Sequence, residues 1–311
     1  MSTDPIAVIG SGSIGTAWAV VFAAADCMVR LHDIDPERLE EAERLVVARL
    51  KELAAFGLLN DPPEAVAHRV GFTTDLETAL AGAVHAQECV PEDRDAKRKI
   101  LAMLAEFAGG NCIVASSSSF IPISQVASNL PGRERFLVIH PGNPPFLLRI
   151  AEICPAPFTD PVALDRSEAL MRRCGLSAVR VRVEKDGFIF NRLQGALLRE
   201  AYSLIDEGVT TAEEIDLLMR DGLGLRWSVV GPFEAVDLNT RGGIAAHAQR
   251  MLPAYIRMGA ERGEHQGWKQ ATIESVVAER RAALPLQNWS DRVRWRDREL
   301  MALLAYRRRR G

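Results

Sequence analysis

The segment Gly10-Ser11-Gly12-Ser13-Ile14-Gly15 is the first stretch of this chain whose residue types and spacing could do chemistry. It follows the apolar run Ile6-Ala7-Val8-Ile9 and opens a helical pattern at Thr16-Ala17-Trp18. In that setting Gly10 permits a tight turn, Gly12 lets backbone N–H groups approach a pyrophosphate, and Gly15 lets helix and strand pack closely. The positive end of the helix would stabilise the anion. Glycine-rich turns occur in many folds, so Asp33 matters: it ends the next apolar run, where a carboxylate can accept hydrogen bonds from an adenosine ribose. A carboxylate there would repel a 2′-phosphate, which favours NAD over NADP. The alternative role for Asp33 is turn formation in His32-Asp33-Ile34-Asp35-Pro36.

The second constellation is His140, at the start of the loop His140-Pro141-Gly142-Asn143-Pro144-Pro145, with Glu152 on the following apolar run. An imidazole can take a hydroxyl proton near neutral pH while a hydride leaves the same carbon for a nicotinamide. A carboxylate on the other ring nitrogen would fix the tautomer and stabilise the imidazolium that forms. Spacing leaves alternatives open: His140 as a structural hydrogen-bonding residue, and Glu152 paired with Arg149 or Arg180 instead.

These residues must be positioned by strands. The runs Ile6–Gly10, Met28–Asp33, Val84–Val90, Cys112–Ser116, Phe136–His140, Leu148–Ile153 and Ala178–Val183 read as strands separated by helical patterns. Several are apolar throughout, as in parallel strands covered on both faces. The expectation is an α/β chain with an N-terminal Rossmann-type, doubly wound, mostly parallel sheet, which places ligands at the carboxyl ends of its strands. Pro36–Phe56 has Leu39, Ala42, Leu45, Val46, Leu50 and Leu53 at helical spacing, with Pro36 suited to a first helical turn and Gly57 as its stop. After Val183 the patterns at Phe188–Asp206, Thr211–Asp221, Pro232–Arg262 and Ser290–Arg308 are helical. Residues 1–185 are thus expected to form the nucleotide domain and residues 186–311 a helical substrate and dimerisation domain.

Thirty-eight basic against 41 acidic residues leave a net charge of −3, so no general field draws the chain to nucleic acid or an anionic membrane. The terminal run Arg307–Arg310 reads as a solvated tail. Cys27, Cys89, Cys112, Cys154 and Cys174 are scattered, without C-x-x-C or metal-ligand spacing, and read as reduced core thiols. No metal site is expected. The apolar stretch Ala17–Ala25 is too short to span a bilayer. A cytoplasmic enzyme is the expectation.

Taken together, Gly10–Gly15, Gln87-Glu88-Cys89-Val90-Pro91-Glu92-Asp93 with Lys97, the serines at 116–119, His140-x-x-Asn143-Pro144, Glu152 and Gly187-Phe188-Ile189-Phe190-Asn191-Arg192-Leu193 resemble the L-3-hydroxyacyl-CoA dehydrogenase superfamily. The resemblance covers almost the whole chain. Pro144-Pro145, Gln87–Glu92 and Gly222-Leu223-Gly224-Leu225-Arg226-Trp227 look most like its λ-crystallin and L-gulonate 3-dehydrogenase branch. It implies His140 as general base, Glu152 as its partner, and Ser119, Asn143 and Asn191 as polar groups around the reacting oxygen. Glu92 and Lys97 match positions beside the nicotinamide half of NAD; otherwise they would be a helix N-terminal acid and a surface lysine. The backbone of Ser13 and Ile14 would hold the pyrophosphate.

Two departures from the acyl-CoA pattern bear on the substrate. Pro141 and Gly142 stand where a bulky aromatic usually follows the histidine, and Pro145 follows Pro144, both reshaping the loop over the substrate. Ser117 also replaces the usual Asn of the serine run, so the role of Ser119 rests on alignment among four adjacent serines. Arg226 is the candidate for holding a substrate carboxylate, because a small acid without CoA needs a cation; it could equally solvate the surface beside Trp227. The resemblance implies NAD-dependent oxidation of L-gulonate, with L-carnitine and short-chain 3-hydroxyacyl-CoA as alternatives. A crystallin-like structural protein and an NAD-binding sensor are the non-enzyme alternatives. Apolar faces such as Phe190, Leu193, Leu197, Ala201 and Leu204 suggest a homodimer through the helical domain.

Overall fold

The computed structural model describes residues 5–228, 231–238 and 243–262, with scattered residues from 271 to 309. Its first half alternates strand and helix. In chain order these are β1 (Ile6–Ile9), α1 (Ser13–Ala24), β2 (Val29–His32), α2 (Pro36–Ala55), α3 (Pro63–Ala67), β3 (Val70–Thr73), α4 (Leu76–Leu80) and β4 (His85–Glu88). Then follow α5 (Arg94–Phe107), β5 (Ile113–Ser116), α6 (Ser124–Ala127), β6 (Phe136–Pro141), β7 (Ile150–Pro155), α7 (Pro161–Arg173) and β8 (Ser177–Arg180).

The strands form one sheet in the order β3-β2-β1-β4-β5-β6-β7-β8. Every adjacent pair is parallel except β6 and β7. The strand order reverses beside β1, the switch point at which open α/β sheets bind ligands. Alternate residues of β1 serve two cores. Ile6 and Val8 pack with α1, α2 and α7 on one face, Ala7 and Ile9 with α4 and α5 on the other. That two-sided burial is why the run is apolar at every position. Helix α1 is buried from Gly15 to Ala23 and is correspondingly apolar all round.

Local signals set the helix ends. Asp35 caps α2 by accepting from the Glu37 N–H, and Pro36 occupies its first turn. Gly57, at φ 67°, donates to the Ala54 carbonyl and stops it. Two features depart from the sequence reading. β3 has no strand signal strong enough to stand out, because Gly71 interrupts a short run at the sheet's edge. The segment expected at Leu148–Ile153 is an antiparallel strand over Ile150–Pro155: Gly142–Arg149 contains no helix, so the chain can only turn back beside β6.

Beyond β8 come α8 (Phe190–Asp206), α9 (Ala212–Leu218), α10 (Gly224–Trp227), α11 (Pro232–Leu238) and α12 (Gly243–Arg262). A capping box at Thr211 and Glu214 opens α9, and a π-helical segment over Met219–Leu223 leads into α10. Residues 239–242, inside the expected Pro232–Arg262 helix, lie outside the described residues, as do Ser290 and several others of the expected Ser290–Arg308 helix.

The chain divides into two compact units, Met1–Arg192 with Arg294–Gly311, and Leu193–Val293. The final residues therefore belong with the sheet rather than with the helical unit into which residues 186–311 were grouped. Met301 is fully buried in the sheet's core. Arg308 donates to the Gly57 carbonyl at 2.9 Å and to Asn60 Oδ1 at 2.5 Å. The arginine run is thus no free tail at Arg308, which docks close to the C-terminal end of α2, where a cation is favoured. Arg307 and Arg310 lie outside the described residues.

Candidate active site

A cleft of about 620 Å³ opens at the carboxyl ends of β1, β2 and β4. Gly10, Gly12, Ser13, Ile14, Asp33, Glu92, Lys97 and Ser119 all line it. The three glycines have different reasons. A Cβ on Gly15 would lie 1.8 Å from the Gly10 carbonyl oxygen, and one on Gly10, at φ 102°, would lie 2.8 Å from that of Cys89. A Cβ on Gly12 would meet nothing within 4 Å. The protein itself gives no steric reason for that glycine, whereas a pyrophosphate against the backbone does. No acidic residue occupies the first turn of α1 to repel such an anion.

Asp33 has its orientation set by Ser11, whose N–H and Oγ–H both donate to Oδ2, at 2.9 and 2.8 Å. The Asp35 N–H donates to Oδ1 at 3.2 Å. Burial pushes the carboxyl upward, but these donors outweigh it and hold Asp33 below the ordinary range, so it is anionic and ready to accept from ribose hydroxyls. The cleft, the open Gly12 and this carboxylate together fit NAD.

On the other side of the cleft is a buried charge network. Lys97 is 1% exposed, so it is no surface lysine, and its ammonium donates to both oxygens of Glu88, at 2.9 and 3.1 Å. Glu88 is wholly buried and also accepts from Ser116 Oγ and the Val90 N–H. An ammonium withdrawn from water requires such a partner. Lys97 reaches Glu92 Oε2 as well, at 3.4 Å. Glu92 Oε1 collects the Ser118 hydroxyl and the N–H groups of Ser119, Phe120 and Ile121. Burial raises the Glu92 carboxyl, yet these donors and Lys97 bring it below its usual value. Glu92 thereby fixes the backbone that presents Ser119. Cys89 also lines the cleft, but burial pushes its thiol up to about 12 and keeps it protonated.

The four serines separate by partner. Ser116 bonds Glu88, Ser117 takes the Trp18 and Gln87 side-chain N–H groups, and Ser118 bonds Glu92. Ser119 alone of the four has no hydroxyl partner among the described residues, and it faces the cleft. Its carbonyl accepts from Asn191 Nδ2 at 2.8 Å.

The antiparallel register places His140 directly opposite Glu152. The imidazole Nδ1 and Glu152 Oε2 lie 2.8 Å apart, with His140 6% and Glu152 3% exposed. Neither alternative arginine competes. Arg149 donates to the carbonyls of Cys174 and Gly175, and Arg180 is held by Asp165 and Glu168. The second carboxylate oxygen, Oε1, accepts the N–H groups of Ile189 and Phe190, at 2.7 and 3.0 Å, at the start of α8. An ionised Glu152 bonded on both oxygens makes Nδ1 the protonated nitrogen, and Nε2 has no partner among the described residues.

Phe188 stands beside this pair with its ring centroid 5.7 Å from that of His140. It is 1% exposed and holds φ at 48°, directly after Gly187 at 72°. For a bulky L-residue the left-handed region costs about 1–2 kcal/mol.

His140 does not itself line the nucleotide cleft. It stands two positions beyond Val138, whose partner in β5 is Ser116, three before Ser119, so both lie at the carboxyl ends of neighbouring parallel strands. Asn143 is exposed and its side chain bonds nothing among the described residues. Arg226, in α10, is exposed and belongs to the other compact unit. The sequence reading assigned no role to Glu88, Ser11 or Phe188. An acid inside a buried strand flagged Glu88; nothing local flags the other two.

Comparison with known proteins agrees with this fold and with NAD as the cofactor. The model for the 3-hydroxyacyl-CoA dehydrogenase NAD-binding domain matches residues 5–185, and that for the 3-hydroxyacyl-CoA dehydrogenase C-terminal domain matches residues 187–282. Lambda-crystallin of Oryctolagus cuniculus is 36% identical over 97% of this chain and 96% of its own. An L-carnitine dehydrogenase of Streptomyces griseus is 33% identical, over 96% and 88%. Among solved structures, an NAD+-dependent dismutase described as 5-formyl-3-hydroxy-2-methylpyridine 4-carboxylic acid 5-dehydrogenase superposes with a TM-score of 0.83 at 27% identity, covering 96% of this chain and 97% of that one. With both domain models matched in order, the chain belongs to the 3-hydroxyacyl-CoA dehydrogenase family and is an NAD-dependent oxidoreductase acting on a hydroxyl group.

Proposed function

We propose that this chain oxidises the 3-hydroxyl of a small hydroxy acid, L-gulonate to 3-dehydro-L-gulonate being the favoured reaction. The observation that supports it most is the 2.8 Å contact between His140 Nδ1 and Glu152, which leaves Nε2 as the basic nitrogen. The glycine loop and Asp33 would hold NAD, which would supply the hydride acceptor. His140 Nε2 takes the hydroxyl proton, so the carbinol becomes a ketone and one proton remains on the protein. Glu152 stabilises the resulting imidazolium. Ser119 and Asn191, joined through the Ser119 carbonyl, would orient the reacting oxygen, with Asn143 completing the set.

The preference for a free acid over a CoA ester is supported by the branch that Pro144-Pro145 resembles and by the 36% identity to lambda-crystallin. L-Carnitine is the second reading, favoured by the similarity to a carnitine dehydrogenase. Arg226 would bind the carboxylate. Its replacement by Met is expected to raise KM for the acid strongly, and an unchanged KM removes it from the site. Five free thiols fit a reducing, cytoplasmic setting. Exposed Leu193, Leu218, Leu252 and Ile256 fit a homodimer through the helical unit. Light scattering of a single monomeric species at micromolar concentration would refute the dimer. NADH formation should be followed with L-gulonate, L-carnitine, 3-hydroxybutyrate and 3-hydroxybutyryl-CoA in parallel. Turnover with the CoA ester alone would defeat the free-acid reading.

A further inference from the structure

We propose that Phe188 is a positioning residue for the proton-transfer pair, acting through its backbone on Glu152 and through its ring on His140. This inference rests on the reading of His140 as base. Glu152 needs donors on the oxygen that does not face His140, and it takes them from Ile189 and Phe190. Those two N–H groups belong to the start of α8, where the first turn has no carbonyl partners of its own. Neither Phe188 nor Ile189 has a side-chain acceptor that could cap the helix locally, so Glu152 caps it from another strand.

The direction of the two N–H groups is set by the preceding turn. Phe188 donates to the Lys185 carbonyl at 3.0 Å, and Gly187 and Phe188 then both adopt positive φ. Glycine does so freely, whereas phenylalanine must be held there. What holds it is burial of the ring beside His140 and in the core that includes Ile121, Ile123 and Val181. One side chain therefore locks the turn that aims two donors at Glu152 and also forms a wall for the imidazole that Glu152 orients. Phe190 adds a second ring at 6.2 Å, edge-on. A residue needed only to fill the core would not have to adopt this backbone conformation.

The substitution Phe188→Gly removes the ring, and with it both the wall and the lock, but leaves positive φ free of steric cost, so its comparison with Phe188→Ala isolates the backbone contribution. Turnover should be measured with L-gulonate or, if that is silent, 3-hydroxybutyryl-CoA. The expected result is a loss of about tenfold in kcat with KM and the NAD+ dissociation constant within twofold. The downfield proton resonance of His140 Nδ1–H should broaden or move upfield. Phe188→Ala, which loses the wall and keeps the backbone penalty, should lose more activity and melt below Phe188→Gly. If Phe188→Gly does not fold, Phe188→Leu takes its place, with the same resonance shift and a fall in kcat expected. Wild-type kcat and an unmoved resonance in the folded variant overturn the inference, as does a loss confined to NAD+ binding. His140→Ala distinguishes the two levels. Full turnover in that variant defeats the base assignment itself, whereas its inactivation beside a fully active Phe188→Gly defeats only the positioning role.

Discussion

Replacing Glu152 by Gln tests the proton chemistry with little change in shape. In the native pair Glu152 accepts three hydrogen bonds, one from His140 and two from the backbone at Ile189 and Phe190. A glutamine has one oxygen and one NH₂ to place. With the oxygen toward α8 it keeps both backbone bonds; with the oxygen toward His140 it leaves both buried N–H groups facing an NH₂. The first orientation wins, since each unsatisfied buried donor costs about 1–3 kcal/mol. It then presents NH₂ to His140 Nδ1, which must become an acceptor, and the ring proton moves to Nε2. The base is thereby blocked while the fold survives. A wrong tautomer and a lost counter-charge should cost about 10⁴-fold in kcat, or roughly 5.5 kcal/mol of barrier. NAD+ affinity should be unchanged, because the nucleotide cleft is lined by other residues. Glu152→Ala, by contrast, abandons all three donors and should also lose at least about 3 kcal/mol of stability. The assays are NADH formation, heteronuclear NMR of the imidazole tautomer, and urea unfolding. A Glu152→Gln enzyme within tenfold of wild-type kcat would refute this reasoning.

The glycine loop offers a contrast within three residues. Gly15→Ala puts a methyl 1.8 Å from the Gly10 carbonyl and should unfold or distort the loop, whereas Gly12→Ala meets nothing in the protein within 4 Å and should fold normally but bind NAD+ at least tenfold more weakly. Equal melting temperatures for the two variants would contradict this. His85 supplies a pH test. Burial holds its imidazole down from 6.5 to about 4 despite a bond to Gln87, so the unfolded chain binds the proton first. Its contribution is intact above about pH 6.5 and is lost as pH falls toward 4, by about 3 kcal/mol at about 1.4 kcal/mol per unit. Urea midpoints between neutral and about pH 4 should fall less steeply in His85→Gln than in wild type; identical slopes would exclude His85 as the cause. Asp33→Asn removes the charge that opposes a 2′-phosphate, and should narrow the preference for NAD+ over NADP+ by at least about tenfold in dissociation constants. An unchanged ratio would show that another group sets it.

What the sequence determined by itself was what neighbours along the chain decide. The glycine loop, the apolar runs of β1 and β5, the Pro36 start of α2 and its stop at Gly57 depend on residues within a few positions of one another, so their signals survive without coordinates. That the cleft lies at the carboxyl ends of the strands followed from the strand rhythm, whereas its place at the switch point beside β1 needed the strand order.

Only the tertiary structure decided which distant groups meet. Spacing left Glu152 free to pair with Arg149, Arg180 or His140; the antiparallel return of β7 put it opposite His140, and carbonyls and acids elsewhere engaged both arginines. Without coordinates Lys97 could be a group beside the nicotinamide or a surface lysine until burial beside Glu88 excluded the surface role, and Arg308 looked like a tail until it docked on Gly57. Four adjacent serines became distinguishable only when Trp18, Gln87, Glu88 and Glu92 arrived from other elements to claim three of them. In each case the energy comes from satisfying a buried charge or donor across a long stretch of chain. Local propensity contains no term for such a partner, whereas packing does.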